Sequence, residues 1–348
     1  MLNGYIMHKI IEKLHILDKK LANVETSSLG LFYGKTGFCL YFYLKNRFTG
    51  NKEYELVANK LINDITSNID SLKQYDMKHG LSGIGIGIGF LIDHKFVKGD
   101  SNQILSDMDA ELFKQLSFPV NSEKLDFSAR LQILYYFIVR LKKQKAGGEQ
   151  EWLFRELIIR TINRLCEEMN FDICDEPLTF NAGYPLPQYL FMLGCCMDLY
   201  KDKIYQIVRE LSIFLLSKLP LLHSNRLYLL WAINEMNKRM GMKDLESHCL
   251  LLCKELEMEK IINEELSFRN IFFNNGLPAI YLLINNLPDY FSESEINQYR
   301  TAIIDKIIQS PEWDCLGQDD DYFKMKSGLL DGYCGTSLLL HYHENQFK

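Results

Sequence analysis

The chain has 348 residues, 47% of them apolar and 24% charged, and a net charge of −6 with both signs interspersed. That is globular composition, which excludes a disordered or collagen-like chain, and the lack of any basic block or stripe excludes a nucleic-acid footprint. The longest nearly uncharged stretch, 80–92, is glycine-rich and shorter than the ~18 apolar residues of a membrane span.

In chain order the first segment, 3–22, is amphipathic. Its charges at His8, Lys9, Glu12, Lys13, Asp18, Lys19 and Lys20 interrupt any apolar core, so it does not read as a signal peptide. Then comes a pattern that recurs: a glycine or polar turn, followed by a short, strongly apolar helix. Gly34-Lys35-Thr36-Gly37 precedes FCLYFYL, and Gly80-Leu81-Ser82-Gly83 precedes IGIGIGFLI. Phe127-Ser128-Ala129-Arg130 precedes LQILYYFIV without a glycine. Gly183-Tyr184-Pro185-Leu186-Pro187 precedes QYLFML. His223-Ser224-Asn225-Arg226 precedes LYLLWAI, again without a glycine. Gly276-Leu277-Pro278-Ala279 precedes IYLLI, and Gly332-Tyr333-Cys334-Gly335 precedes TSLLLHY. Successive copies are 43 to 56 residues apart, and each interval holds one more helix. These further helices fall at about 52–70, 101–116, 150–169, 203–219, 243–258 and 292–309. Each carries one apolar stripe and one charged face. Ser292 and Glu295 form a capping-box start for the last of them.

Helices apolar nearly all round therefore alternate with helices apolar on one face. Covered helices belong inside and one-faced helices outside. The expected fold is all-α, an α/α toroid of seven helical hairpins in a single domain, 1–348, with an open solenoid as the competing arrangement. The turns precede the inner helices, so they gather at one end, the mouth of a central pore. Glycine permits close backbone approach there, and helix N-termini present free N–H groups. The candidate binding residues at this mouth are His79, Asn181, Tyr184, Arg226, Asn274, Asn275, Asp331 and Tyr333. At least one of Asn181, Asn274 and Asn275 reads as a helix cap, and together with Tyr33, Tyr184 and Tyr333 they also read as a rim for an extended peptide, two roles that can coexist. Arg226 reads equally as a carboxylate anchor and as a solvated cation.

These turns resemble those of the lanthionine synthetase C-like (LanC-like) family. SLGLFYGKTGFCLYFYL is similar to its first repeat and KHGLSGIGIGIGFLI to its second. TFNAGYPLPQYLFML is similar to its fourth, FFNNGLPAIYLLI to its sixth and SGLLDGYCGTSLLL to its last. The resemblance implies thioether-ring closure in ribosomal (lantibiotic-type) peptides, with zinc held by two cysteines and a histidine. The residues depart from that pattern. The sixth turn reads Asn274-Asn275-Gly276 where the family has Cys-His-Gly. The fifth reads His223-Ser224-Asn225-Arg226 with no cysteine, and the fourth-repeat histidine falls on Ala182. Asparagine is a poor substitute for thiolate and imidazole on zinc. The expectation is a peptide-binding pseudoenzyme, or a partner of a peptide-modifying enzyme, with no cofactor. The alternative is an active enzyme on the same fold, either a thioether cyclase with relocated zinc ligands or a carbohydrate-active enzyme.

Other constellations weigh less. His79, Cys334 and Cys39 offer a replacement zinc set. His248, Cys249 and Cys253 read as buried positions on an outer helix. Asp319-Asp320-Asp321 reads as a solvated turn more readily than as a magnesium–diphosphate site. Asp126 and Asp331 are a conceivable glycosidase pair. Nine cysteines at unrelated spacings read as buried hydrophobes in a reducing cytoplasm.

Overall fold

The structure, a computed structural model, describes residues 2–117, 125–170, 174–317 and 320–346, and of 2–9 and 345–346 the backbone alone. Among the described residues there is no strand, and fourteen helices have nine or more residues. We number them α1 (Leu2–Ala22), α2 (Lys35–Thr49), α3 (Lys52–Asn68), α4 (Leu81–Asp93), α5 (Ser106–Ser117), α6 (Phe127–Leu141) and α7 (Glu149–Glu168). The series continues with α8 (Pro185–Cys195), α9 (Lys201–Ser217), α10 (His223–Met240), α11 (Lys243–Lys254), α12 (Leu277–Asn285), α13 (Glu293–Ile308) and α14 (Tyr333–Gln346). Even-numbered helices follow the turns, and odd-numbered ones are the amphipathic partners.

The alternation has a simple cause. In α3 only Ala58 and Ile65 are buried, while α2 buries nine of its fifteen residues, among them Phe38, Cys39, Tyr41, Phe42 and Tyr43. A helix covered on several sides needs apolar residues all round; one covered on a single side needs a stripe. The GIGIGIG run alternates with period two, yet it is helical. Its glycines let α4 approach closely, since a methyl on Gly87 would stand 2.3 Å from the Thr36 side chain. Helix ends follow local chemistry. Asn51 caps α3 by accepting from the Glu53 N–H, and Gly50 ends α2 in the left-handed region at φ 72°. Ser292 and Glu295 form the reciprocal capping box, with Ser292 N–H on the Glu295 carboxylate and Glu295 N–H on the Ser292 hydroxyl.

The contacts divide the chain into two compact units. Unit 1 comprises 1–103, 266–281 and 297–348; unit 2 comprises 104–265 and 282–296. In unit 1, α2 packs between α4 and α14, so the first and last copies of the repeat are neighbours. The Tyr41 hydroxyl of α2 meets the Ser337 hydroxyl of α14 at 3.2 Å, and Asp18 ties α1 to α2 and α3. Its carboxylate accepts from Tyr41 at 2.5 Å and from Tyr54 at 2.6 Å, and pairs with the Lys45 ammonium at 3.1 Å. In unit 2, α6, α8 and α10 pack in sequence, and Asp109 of α5 is bonded to Tyr136 and Arg140 of α6 inside the core. No helix among the described residues is long and apolar enough to cross a membrane.

Candidate functional site: a row of closed turns

Four copies of the turn, all in unit 1, are built to one pattern. The residue after the glycine donates its N–H to the carbonyl seven residues earlier: Lys35 to Ser28 at 3.0 Å, Leu81 to Gln74 at 2.9 Å, Leu277 to Asn270 at 2.9 Å and Tyr333 to Lys326 at 2.8 Å. The loop closes so tightly that a Cβ on Gly34, Gly80, Gly276 or Gly332 would lie 2.1 to 2.5 Å from main-chain atoms of its own loop. Only glycine can occupy that position without moving the backbone.

The closed turns are joined side by side through main-chain atoms. Asn274 N–H donates to the Leu330 carbonyl at 3.0 Å, Leu329 N–H to Phe32 at 2.8 Å, and Phe32 N–H to Lys78 at 3.2 Å. Sixth, seventh, first and second turns thus stand in a row. A second set of glycines permits it: a Cβ on Gly328 would lie 2.0 Å from the Phe32 oxygen, and one on Gly30 2.1 Å from the Lys78 oxygen.

Equivalent positions, each just before the turn glycine, carry Asn275, Asp331, Tyr33 and His79. The row therefore offers an amide, a carboxylate, a phenol and an imidazole in register. Tyr33 and His79 stack at 5.1 Å between ring centroids with 13° between planes. Asn275 is exposed, and Asp331, Tyr33, His79 and the neighbouring Asn274 are partly exposed. Burial pushes the Asp331 carboxyl above the usual carboxylate range. Phe32, Phe273, Leu329 and Leu330, on the same turns, are also partly exposed. Such a surface, apolar with a few placed polar groups, suits an extended ligand. The sequence grouped His79, Asn274, Asn275 and Asp331 in one rim. What it missed was that Asn275, Asp331, Tyr33 and His79 hold the same position, the residue before each turn glycine.

Two expected rim side chains are not at the surface, and a third is only marginally so. Tyr333 is fully buried and its hydroxyl donates to the Glu312 carbonyl at 2.9 Å. Tyr184, in unit 2, is buried with its hydroxyl on the Cys174 carbonyl at 2.9 Å. Arg226 is 8% exposed, and its guanidinium holds the Pro220 and Glu255 carbonyls. A long side chain at a helix start can turn inward, and these three hold loops in place. Asn181, also in unit 2, is exposed and accepts the Gly183 N–H at 2.7 Å, an Asx-type turn.

The two copies without glycine use carboxylates instead. Asp126 caps α6 through the Ala129 N–H at 2.6 Å, which accounts for that carboxylate without sugar chemistry. At α10, Glu265 accepts the N–H groups of His223 and Ser224 and the Ser224 hydroxyl, and Glu176 accepts those of Leu221 and Leu222. Glu265 comes from a π-helical turn, Ile261–Glu265.

The residues present do not fit a zinc ion. Among the described residues no three His, Cys, Asp or Glu side chains converge as a metal set. Cys39 faces α3, with its thiol on the Ala58 carbonyl at 3.5 Å, and Cys334 faces the Gly37 carbonyl of α2 at 4.0 Å. Burial pushes the Cys39 thiol up to about 12 and the Cys334 thiol well above its ordinary value, whereas a zinc ligand must be a thiolate. His223 is taken up by accepting the Glu257 N–H at 3.1 Å. All nine cysteines are free, and His248 and Cys249 are buried in the packing of α11. Asp320 pairs with Lys20 at 2.7 Å, Asp321 is exposed, and Asp319 lies outside the described residues. Protein purified without chelator is expected to hold well under one zinc per chain by elemental analysis. Stoichiometric zinc that disappears on changing His79 or Cys334 would revive the cyclase with relocated ligands.

Comparison with known proteins agrees with the turn pattern. The sequence model of the family described as "Lanthionine synthetase C-like protein" matches residues 4–130. No curated protein matches the chain. Among solved structures, one described as "Nisin cyclase" superposes with a TM-score of 0.69 at 13% identity, covering 98% of this chain and 94% of that one. At that identity the likeness establishes the fold, the all-α toroid class.

Proposed function

We propose that this chain, a member of the LanC-like family, binds a peptide along the row of closed turns in unit 1 and belongs to a ribosomal-peptide modification system. In this reading it is a partner that holds the peptide, not a zinc cyclase. The observation that carries the reading is the register of Asn275, Asp331, Tyr33 and His79 on joined turns that also carry partly exposed apolar residues. An extended peptide can place successive groups against such a row, and four different polar side chains provide selectivity. The name of the similar structure refers to ring closure in a peptide, which is why a peptide is the ligand proposed. Zinc chemistry has no part in this reading, because the candidate donors are amides and buried thiols.

A labelled library of Cys-, Ser- and Thr-containing peptides is the direct test. Pure protein is expected to retain a subset. Asn275→Trp and Asp331→Arg are each expected to weaken retention at least tenfold with the melting temperature nearly unchanged. Lys60→Glu, on the exposed side of α3, is expected to do neither. Equal losses from the row and from Lys60 would sink the proposal.

A further inference from the structure

Three consecutive even-numbered helices of unit 2 share one open face. Between their ends α6, α8 and α10 are buried except along a single stripe each, its members three or four residues apart. Tyr135 lies in the stripe of α6. Gln188 and Phe191 lie in that of α8, which Cys195 ends, and Trp231 and Glu235 form that of α10. The stripes meet side by side. Phe191 stacks on Trp231 at 5.1 Å between ring centroids with 23° between planes. The Cys195 thiol is within electrostatic reach of Tyr135 on one neighbouring helix and of Glu235 on the other. Trp231 also stacks with Tyr228, one turn earlier, at 5.8 Å and 24°, and the Tyr228 hydroxyl donates to the Ala182 carbonyl at 3.0 Å.

What this face lacks says what it takes. Among the described residues nothing accepts from the Trp231 N–H or from the Tyr135 hydroxyl, and neither atom is sealed from solvent. Burial pushes the Tyr135 phenol above its ordinary range, which keeps it a donor at neutral pH. With Phe191 and Tyr228 stacked on it, Trp231 turns its edge to the open side. A ring edge is positive and attracts a carbonyl oxygen or the π face of another ring. Cations seek ring faces, which are taken here, and the C–H groups of a sugar seek faces as well. Glu235 is paired with Lys238 at 2.7 Å, so no bare carboxylate calls for a cation. An aromatic residue within a peptide brings both a ring and carbonyl oxygens. We infer that this face of unit 2 binds an aromatic residue of a peptide, its ring against the Phe191–Trp231 edge and its carbonyl oxygens on the Tyr135 hydroxyl and the Trp231 N–H. That the ring belongs to a peptide rests on the function proposed above; the ring and the carbonyls rest on the face itself.

Titrating N-acetyl-phenylalanine amide into the full chain, followed by saturation-transfer NMR, tests this apart from the row of turns. The wild type is expected to bind the probe saturably with a Kd on the order of millimolar, as a fragment of its size allows. N-acetyl-alanine amide, which has no ring, is expected to bind at least about tenfold more weakly. Trp231→Phe keeps the stack and removes the N–H; Tyr135→Phe keeps the ring and removes the hydroxyl. Each is expected to weaken the phenylalanine probe about five- to tenfold. The melting temperature is expected to stay nearly unchanged, since neither donor is bonded within the protein. Asn275→Trp is expected to leave the probe's affinity as it was, so that failure of the row and failure of this face read separately. A wild type without saturable binding overturns the inference. So do Trp231→Phe and Tyr135→Phe variants that bind the probe as tightly as the wild type. Displacement of the probe by methyl glucoside also overturns it, by assigning the face to a sugar.

Discussion

Asp109→Ala is expected to lower the stability of the fold by about 3–5 kcal/mol, the usual consequence of removing one partner from a buried ion pair. Asp109 and Arg140 each have side chains only 3% exposed. The carboxylate accepts from the Arg140 Nε at 2.9 Å, from its terminal nitrogen at 2.6 Å and from the Tyr136 hydroxyl at 2.5 Å. Without it a guanidinium and a phenol are left buried with no acceptor. The sign reverses if both charges go together. Asp109→Leu with Arg140→Met is expected to recover most of the loss, because the cost of desolvating the two ions disappears with them. Urea unfolding of the single and double variants measures both. A single-variant loss under about 1 kcal/mol would mean that water reaches the pair and that α5 is not packed on α6 as described.

Gly30→Ala is expected to cost about 3 kcal/mol, the upper end of what one inserted methyl does in a packed interior. The added Cβ would lie 2.1 Å from the Lys78 oxygen and 2.4 Å from the His79 Cα. Both are backbone atoms, so no side chain can rotate away. The first turn must then move off the second, and the Tyr33–His79 stack goes with it. Gly317→Ala is the control: among the described residues no atom beyond its chain neighbours lies within 4 Å of that Cβ, and the change is expected to stay within about 0.5 kcal/mol. Thermal unfolding compares the two. Equal small effects would show that the turns of unit 1 do not lean on one another.

Periodicity was legible because it is local. The amphipathic segments read at 52–70, 150–169 and 292–309 are helices at Lys52–Asn68, Glu149–Glu168 and Glu293–Ile308. The turn glycines announced themselves for a physical reason, since only glycine admits the closing loop. The copies at α6 and α10 were harder to read. Asp126 sits next to its helix, yet in the sequence it suggested half of a glycosidase pair, and its role as the cap of α6 came from the structure. Glu176 and Glu265 reach α10 from 46 and 42 residues away, and no pattern in the sequence pairs them with it. Inward-turned side chains were illegible for a similar reason. Proximity to a helix start does not say which way Tyr333 or Arg226 points. That depends on whether a carbonyl such as that of Glu312 or Pro220 waits inside. The order of the turns in unit 1 follows from closing the ring, which makes the seventh and first copies neighbours; what stayed hidden was the main-chain bond that joins them, Leu329 N–H to the Phe32 carbonyl.

That row is held by peptide groups: each link from Asn274 to Leu330, Leu329 to Phe32 and Phe32 to Lys78 is N–H to carbonyl. Main-chain bonds are blind to the side chains they carry. The scaffold therefore asks for glycine at its crossing points and for nothing in particular at positions 33, 79, 275 and 331. Phenol, imidazole, amide or carboxylate can be exchanged there without loosening the frame. In the proposed reading a ligand preference can drift at such positions while the fold stays put; the identity of those four residues would then record what the chain handles, and the glycines record how it stands.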